Sequence, residues 1–319
     1  MPLVYTYIQK AKRAELAAHV PEQLSVQRYD QIKGDLLQII INQNPRVAIN
    51  TLKQQMDTDP AVLNSCHEFL HEIGFFSYKK YNDFAKALTY KDNICVSGYI
   101  HGVIEAYFSD VKNFAEAIKT ACDGYPAGKF ISWECYHGVG HGLMYYHDNN
   151  VLVALEGCKI YKEGYARSAC SNGVYMENFN ADTVIHPSRF LNPQKPYYPC
   201  NVFAQDRNHC YMNAPIYFFS LNYDYTKAAD VCDSVEKKYK YACFYGLATQ
   251  MTRRNMTHPE FVEQFCQNNS AIDMKACING IVGWYVSYYA SLEEAGKICS
   301  KLEDTSFCKR SVNSYKSQF

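Results

Sequence analysis

Residues 135–146 read CYHGVGHGLMYY, and closely related segments begin at three later cysteines. These segments are CSNGVYMEN from Cys170, CFYGLATQM from Cys243 and CINGIVGWYV from Cys277. Each has a glycine three residues after its cysteine. A second kind of segment ends at a cysteine, as in LVALEGC and YTKAADVC, with small and apolar residues at helical spacing. The alternation of the two segments predicts a chain built from repeated helix pairs.

The chain has 319 residues and 14 cysteines, and most of the cysteines fall into pairs 9 to 13 residues apart. The pairs recur every 32 to 42 residues, a period typical of stacked helical repeats. We expect each pair to join the second helix of one unit to the first helix of the next. The expected pairs are Cys122–Cys135, Cys158–Cys170, Cys200–Cys210, Cys232–Cys243, Cys266–Cys277 and Cys299–Cys308. Closing a loop of this size contributes on the order of 3 kcal/mol in the chain-entropy model.

Two cysteines at the front of the repeats, Cys66 and Cys95, have no local partner. Asp92 stands where Cys122 stands in the next unit, so Cys95 lacks the cysteine that would precede it. Both cysteines open equivalent neighbouring helices, and we therefore predict a disulfide between them. The alternative is that both are free thiolates that bind a metal ion.

The stapled helix pairs resemble the tetratricopeptide-like superfamily over roughly residues 61–319, at the level of architecture. The resemblance implies an all-α fold, an α/α solenoid with a groove on its concave face, and it implies no chemistry. We predict about seven disulfide-stapled helix-pair repeats in this solenoid. Residues 1–60 are predicted to form leading helices, and residues 61–150 the repeats that carry histidines. Residues 180–200 are proline-rich, which predicts a long ordered loop in place of a helix, of the kind that often covers a site.

The overall composition excludes some classes of protein and favours one kind of compartment. The formal net charge is zero, which argues against a nucleic-acid partner, and no apolar stretch is long enough to predict a membrane span. Many cysteines favour an oxidising, extracytoplasmic location, whether secreted, periplasmic or cell-surface. We expect that a leader was removed and that Met1 comes from an expression vector. The alternatives are a cytosolic protein with free thiols and a disulfide-rich thermophile protein.

Histidines occupy equivalent positions on the first helices of three successive units. The predicted metal ligands are His67, His71, His101, Glu105, His137 and His141. They form three pairs at i,i+4 spacing, so both members of a pair project from the same helix face. The later units have other residues there, as in Asn172 and Met176. Because the repeat forms without these histidines, the pattern favours a metal site over a purely structural role.

Helix spacing limits how such a site can be built. Packed helices lie about 8–10 Å apart, so neighbouring helices can share an ion. The first and third helices are too far apart unless the chain curls tightly. The pattern therefore predicts either one ion on a strongly curved face or two ions that share His101 and Glu105. Copper or zinc is the expected metal, and iron also suits imidazole ligands.

The predicted function is that of an extracytoplasmic metalloprotein, as a metal-dependent oxidoreductase or hydrolase acting on a small molecule or peptide in the groove. Glu68 and Glu105 are the candidate catalytic residues. One alternative is a repeat module that binds a peptide or protein, and another is a metal carrier without turnover. Residues 67–71, HEFLH, match the metallopeptidase pattern, with Glu68 as general base. That alternative is less favoured, because the matching helices lack an equivalent glutamate.

Overall fold

The computed structural model describes residues 24–162, 164–181 and 188–319. Within these residues the protein is all-helical and contains no strand. The helices are α1 Val26–Asn42, α2 Pro45–Met56, α3 Pro60–Asn64, α4 Cys66–Tyr81, α5 Phe84–Leu88, α6 Ile94–Asp110, α7 Phe114–Thr120, α8 Phe130–Tyr146, α9 Val151–Cys158, α10 Gly164–Asn180, α11 Arg207–Ser220, α12 Tyr225–Ser234, α13 Lys237–Arg254, α14 Pro259–Gln267, α15 Met274–Tyr289, α16 Leu292–Lys297 and α17 Thr305–Ser314. Short 3₁₀ turns lie at Ile298–Ser300 and Lys316–Gln318.

Many helices begin at a polar residue that caps the first turn. The Asn44 side chain accepts a hydrogen bond from the Val47 amide, and Pro45 occupies the first position of α2. The side chains of Asp224 and Asp273 accept equivalent bonds at the starts of α12 and α15. Each cap satisfies an amide that has no partner within its helix, which fixes the point at which the helix begins.

The seven predicted disulfides are all confirmed. Five join a short helix or the residues after it to the next long helix, and Cys200–Cys210 joins the segment before α11 to α11. The seventh joins Cys66 to Cys95, and no free cysteine remains. The paired Cα atoms are 5.4 to 6.5 Å apart, the separation that a disulfide requires. The alternative of thiolate metal ligands at Cys66 and Cys95 is therefore wrong.

The long helices pack against each other in chain order. Contacts run from α4 to α6, α8, α10, α11, α13 and α15 in turn, and the core lies between these helices and the short ones. Glycine permits the closest approaches. A Cβ atom on Gly102 of α6 would overlap the His71 carbonyl of α4, and one on Gly246 of α13 would overlap the Met212 carbonyl of α11. Backbones this close leave the neighbouring side chains within reach of one another.

The late helices also close against the early ones. Helix α15 contacts α6, and Arg253 of α13 pairs with Glu68 of α4. Near the C-terminus, the Phe319 ring stacks on Phe130 with ring centroids 4.9 Å apart. These contacts join residues that are far apart in the sequence. They turn the row of long helices back on itself, and this curvature determines the geometry of the candidate site.

The segment between α10 and α11 contains turns and no helix over its described residues, 188–206. It is held to the helices by hydrogen bonds: Tyr175 donates to the Gln205 carbonyl at 2.6 Å, and Ser188 donates to Asn178 at 2.6 Å. Residues 188–206 line neither of the two cavities described below. Within the described residues, no helix combines the length and the apolar character needed to span a bilayer.

Candidate metal centre

Five imidazole rings from α4, α6 and α8 meet in one cluster, which we call the histidine cluster: His67, His71, His101, His137 and His141. The His101 ring lies centrally, with centroids 4.9 Å from His141 and 5.1 Å from His137. Rings from the first and third helices also meet, since His71 and His141 are 5.7 Å apart. Side chains of α4 and α8 therefore meet over α6.

The nitrogen and oxygen atoms of the cluster form three overlapping groups of potential ligands. The groups are His67, His71 and His101; His101, His137 and His141; and His71, Glu105 and His141. Within each group the ligand atoms lie within 4.8 Å of one another. A tetrahedral ion with bonds of about 2.0–2.1 Å needs ligand atoms about 3.3 Å apart, a spacing that modest side-chain rotation reaches. All six predicted ligands therefore lie where one or two ions could use them.

Hydrogen bonds to one ring nitrogen orient three of the histidines. The Nδ1 of His67 lies 2.9 Å from the Cys95 carbonyl, and that of His141 lies 2.7 Å from Glu177 Oε2. The Nδ1 of His71 lies 3.2 Å from Glu105 Oε2. In metal sites such a bond fixes the ring and leaves Nε2 for the ion. The Nδ1 atoms of these three rings are held in this way, and Nε2 of His141 lies 3.0 Å from Nε2 of His137.

The carbonyl that orients His67 belongs to an unusual turn at the start of α6. Cys95, Val96 and Ser97 all have positive φ, from 52° to 57°. A left-handed conformation at a β-branched residue such as Val96 is strained. Here it turns the Cys95 carbonyl toward His67, in the residue that also carries the disulfide to Cys66.

His101 lacks the partners that a buried histidine normally has. Its side chain is fully buried, and neither ring nitrogen has a hydrogen-bond partner. Glu134 Oε2 lies 3.8 Å from His101 Nε2, beyond hydrogen-bonding distance. Leaving a buried polar atom unsatisfied costs about 1–3 kcal/mol. A metal ion bound to this ring would offset that cost.

The electrostatics keep most of the cluster in the form that binds metal. Burial lowers the pKa of His67 to about 3, and burial also holds the pKa of His101 and His137 well below the usual range. These rings are neutral at physiological pH, as metal ligation requires. His71 differs. Burial would lower its pKa, but the charge of Glu105 and the hydrogen bond to it outweigh burial and raise that pKa to about 9.

Glu68 lies beside the cluster and is paired with an arginine. Burial would raise its pKa, but the charge of Arg253 and the hydrogen bond from it hold that pKa at about 2. A carboxylate this acidic accepts a proton poorly, since a general base works best with a pKa near the operating pH. Glu105, the other candidate catalytic residue, lies within the cluster beside His71.

Two acidic residues near the cluster were not predicted from the sequence. Glu177 of α10 pairs with His141, and Glu134 of α8 is buried close to His101. Glu177 stands one residue after Met176, the position that matches His141 in the repeat, and Glu134 stands one residue before Cys135. Each is the only acidic residue of its helix, and that was the available signal.

One face of the histidine cluster opens into a cavity of about 460 Å³, which we call the outer cavity. His67, His71 and His141 line it together with Glu105. Its other lining residues include three aromatic side chains, Phe75, Phe76 and Tyr145. Among the described residues of that lining, His101 and His137 do not occur. A ligand entering this cavity would therefore meet the cluster from one side only.

The other described histidines lie in ordinary surroundings. His209 is bonded to Ser168 at 2.6 Å and to Asn172 at 3.1 Å. His258 is exposed and pairs with Glu260, and the His147 ring packs edge-on against Phe114. His186 lies outside the described residues. Both ring nitrogens of His209 thus have hydrogen-bond partners, whereas neither ring nitrogen of His101 has one.

Comparison with known proteins gives no relative. No protein-family model, curated protein or solved structure matches this chain. The likeness to tetratricopeptide-like proteins therefore stays a prediction from the helix-pair pattern. The function proposed below therefore rests on the geometry of the site.

Proposed function

We propose that this protein binds a transition metal at the histidine cluster and is a metal-dependent enzyme. The observation that carries the proposal is His101, a fully buried ring with no hydrogen-bond partner, surrounded by four other imidazoles. A structural histidine network would satisfy the central ring first. Here three of the peripheral rings have hydrogen bonds to carbonyl or carboxylate oxygens, and the central ring has none, which leaves its lone-pair nitrogen for a metal ion.

The donor set favours zinc or copper, with iron as a further candidate. It consists of imidazole nitrogens and one carboxylate, a combination that suits all three metals. No thiolate contributes, because every cysteine is in a disulfide. The three overlapping ligand groups have room for a dinuclear centre, with His101 or His71 near both ions.

The outer cavity favours catalysis over storage. A carrier needs to enclose its ion, whereas this cluster has an open side that could leave a coordination position for substrate or water. A bound zinc ion would activate water for hydrolysis, and a bound copper ion would carry out redox chemistry. Phe75, Phe76 and Tyr145 would hold the apolar part of a small molecule or peptide.

The peptidase mechanism suggested by residues 67–71 is not favoured. That mechanism needs Glu68 as the general base, and the pairing with Arg253 makes this carboxylate a weak base. Glu105 is the better candidate for moving a proton, because it lies in the cluster and bonds to His71. Its proposed role is to bind the metal or to orient His71.

We further propose that the helix pairs form a solenoid of the tetratricopeptide-like kind that closes on itself. The chain-order packing of the long helices and the contact of α15 with α6 support this architecture. Seven disulfides support folding in an oxidising compartment outside the cytoplasm.

Elemental analysis of purified protein tests the metal site. Wild-type protein, loaded with zinc or copper and then desalted, should retain near-stoichiometric metal. His101→Ala should lose it, and the control His258→Ala should retain it, because His258 is exposed and lies outside the cluster. The proposal is wrong if wild-type protein retains no metal, or if His101→Ala retains as much as wild type while remaining folded.

A panel of chromogenic substrates tests catalysis separately. Zinc-loaded protein should hydrolyse an ester or phosphoester, or copper-loaded protein should oxidise a phenol. The activity should disappear on chelation and in His101→Ala. If metal binds tightly but neither form turns over any substrate, the carrier alternative replaces the enzyme.

A further inference from the structure

A second cavity, which we call the inner cavity, lies on the other side of the histidine cluster. Its volume is about 460 Å³, within the range of small-molecule sites. Residues of α6, α8, α10, α11, α13 and α15 line it, so it occupies the space that the closed row of long helices surrounds. His137 lines this cavity, and Met176 lines both cavities. The two cavities therefore adjoin at Met176 and reach different histidines of the cluster.

The C-terminal residues cover part of the inner cavity. Tyr315 and Gln318 belong to its lining. Lys129 donates a hydrogen bond to the Ser317 carbonyl at 3.2 Å, which holds this segment against the start of α8. The lining of the inner cavity is thus built from distant parts of the chain.

The chemistry of the lining is aromatic and uncharged apart from one acid. The aromatic side chains are Phe130, Trp133, Tyr165, Tyr245, Trp284 and Tyr315. Among the described lining residues there is no lysine and no arginine, so an anionic ligand would find no counter-charge. Amide and hydroxyl side chains, including Asn213, Thr249 and Gln250, supply hydrogen-bonding groups among the rings.

Glu134 is the polar group in this lining that most needs a partner. Its side chain is 3% exposed, and its Oε2 has no hydrogen bond. A hydroxyl group on a bound molecule would supply that bond. A cation would have to lose its hydration shell to reach a carboxyl group buried this deeply, whereas a neutral hydroxyl group reaches it at a much smaller desolvation cost.

We propose that the inner cavity binds an uncharged aromatic molecule that carries a hydroxyl group. Rings of the lining would stack on the aromatic part, and the hydroxyl would bond to Glu134. Such a molecule would lie against the buried side of the cluster, opposite the outer cavity. This binding needs no metal, so its test is independent of the test of the proposed function.

Tryptophan fluorescence reports directly on this cavity. The chain has two tryptophans, Trp133 and Trp284, and both line the inner cavity. The probe is 4-nitrobenzyl alcohol, which is uncharged, carries one hydroxyl and quenches indole fluorescence. Its charged analogues are 4-nitrobenzoate and 4-nitrobenzylammonium. Titrations use the full chain after chelation of metal, with N-acetyltryptophanamide to correct for absorption and collisional quenching.

The alcohol should quench with saturation, and each charged analogue should bind at least about tenfold more weakly. Ser287→Phe places a large side chain in the inner cavity and should weaken the binding of the alcohol by at least about tenfold. Ser306→Phe makes the same change at an exposed position outside this lining and should bind like wild type.

The proposal is overturned by the absence of saturable quenching, or by a charged analogue that binds as tightly as the alcohol. Equal affinity in the two phenylalanine variants would also overturn it. Circular dichroism establishes whether Ser287→Phe folds. If it does not fold, the comparison of the three probes on wild-type protein decides the question.

Discussion

Helices α4, α6 and α8 and the later helices α13 and α15 are built by the same rules, yet only the early three carry the histidine cluster. Both regions have a disulfide at the start of each helix and close backbone contacts between helices. Where α8 has His137 and His141, α13 has Tyr245 and Thr249. Disulfide and packing alone therefore suffice for the fold, and the imidazoles are an addition to it.

The largest expected effect comes from comparing one disulfide in each region. Cys66–Cys95 spans 29 residues and Cys266–Cys277 spans 11. In the chain-entropy model, replacing each pair by alanines costs about 3.6 and about 2.8 kcal/mol of unfolding free energy. Urea unfolding of metal-free protein measures both losses.

Removal of the two disulfides should have more different effects on metal affinity than on stability. Loss of Cys66–Cys95 releases the turn whose carbonyl orients His67, and metal affinity should fall about 10- to 100-fold. Loss of Cys266–Cys277 should leave metal affinity close to wild type. Equal losses of affinity in both variants would show that the cluster depends on overall stability and has no local link to the Cys95 turn.

A matched pair of glycines gives the next largest effect. Gly102→Ala and Gly246→Ala each force a methyl group against a carbonyl of the neighbouring helix. Each should destabilise the protein by about 1–3 kcal/mol or more, because the helices must move apart. Calorimetric titration should show weaker metal binding in Gly102→Ala, which separates α6 from His71, and unchanged binding in Gly246→Ala. Unchanged binding in Gly102→Ala would contradict the role of close helix packing in the site.

The smallest effect concerns His209, a partly buried histidine outside the cluster. Burial lowers its pKa, so the folded state holds it neutral. Its contribution to stability is then complete above the pKa of a free histidine, about 6.5, and is lost as the pH falls below that value. From about pH 7.5 to about pH 5.5, His209→Gln should lose less thermal stability than wild type. Exposed His258→Gln should behave like wild type, and equal losses in all three proteins would refute the prediction for His209.

Much of the fold was predictable because its signals are local in the sequence. The disulfide pairing follows from the spacing of the cysteines, and even Cys66–Cys95 follows from Asp92 in the place of a cysteine. Helix starts such as Pro45 follow from capping chemistry. The six ligand positions follow from the repeat register, which assigns them to equivalent turns of neighbouring helices.

The rest depended on contacts between residues far apart in the chain. Nothing local indicates that Arg253 pairs with Glu68, and this pairing removes Glu68 as an effective base. Helix α15 contacts α6 and lines the inner cavity, and His71 meets His141 from a helix two units away in the chain. The curvature of the row of helices is the sum of small packing angles between neighbouring helices. The repeat pattern in the sequence does not predict those angles.

The central claim is that the imidazoles of the early helices are there to bind metal. Anomalous diffraction from crystals of zinc- or copper-loaded protein tests it most directly. The account predicts one or two strong peaks within the histidine cluster, each about 2.0–2.1 Å from ring nitrogens that include His101. Anomalous peaks confined to surface histidines such as His258, with no peak in the cluster, would contradict it.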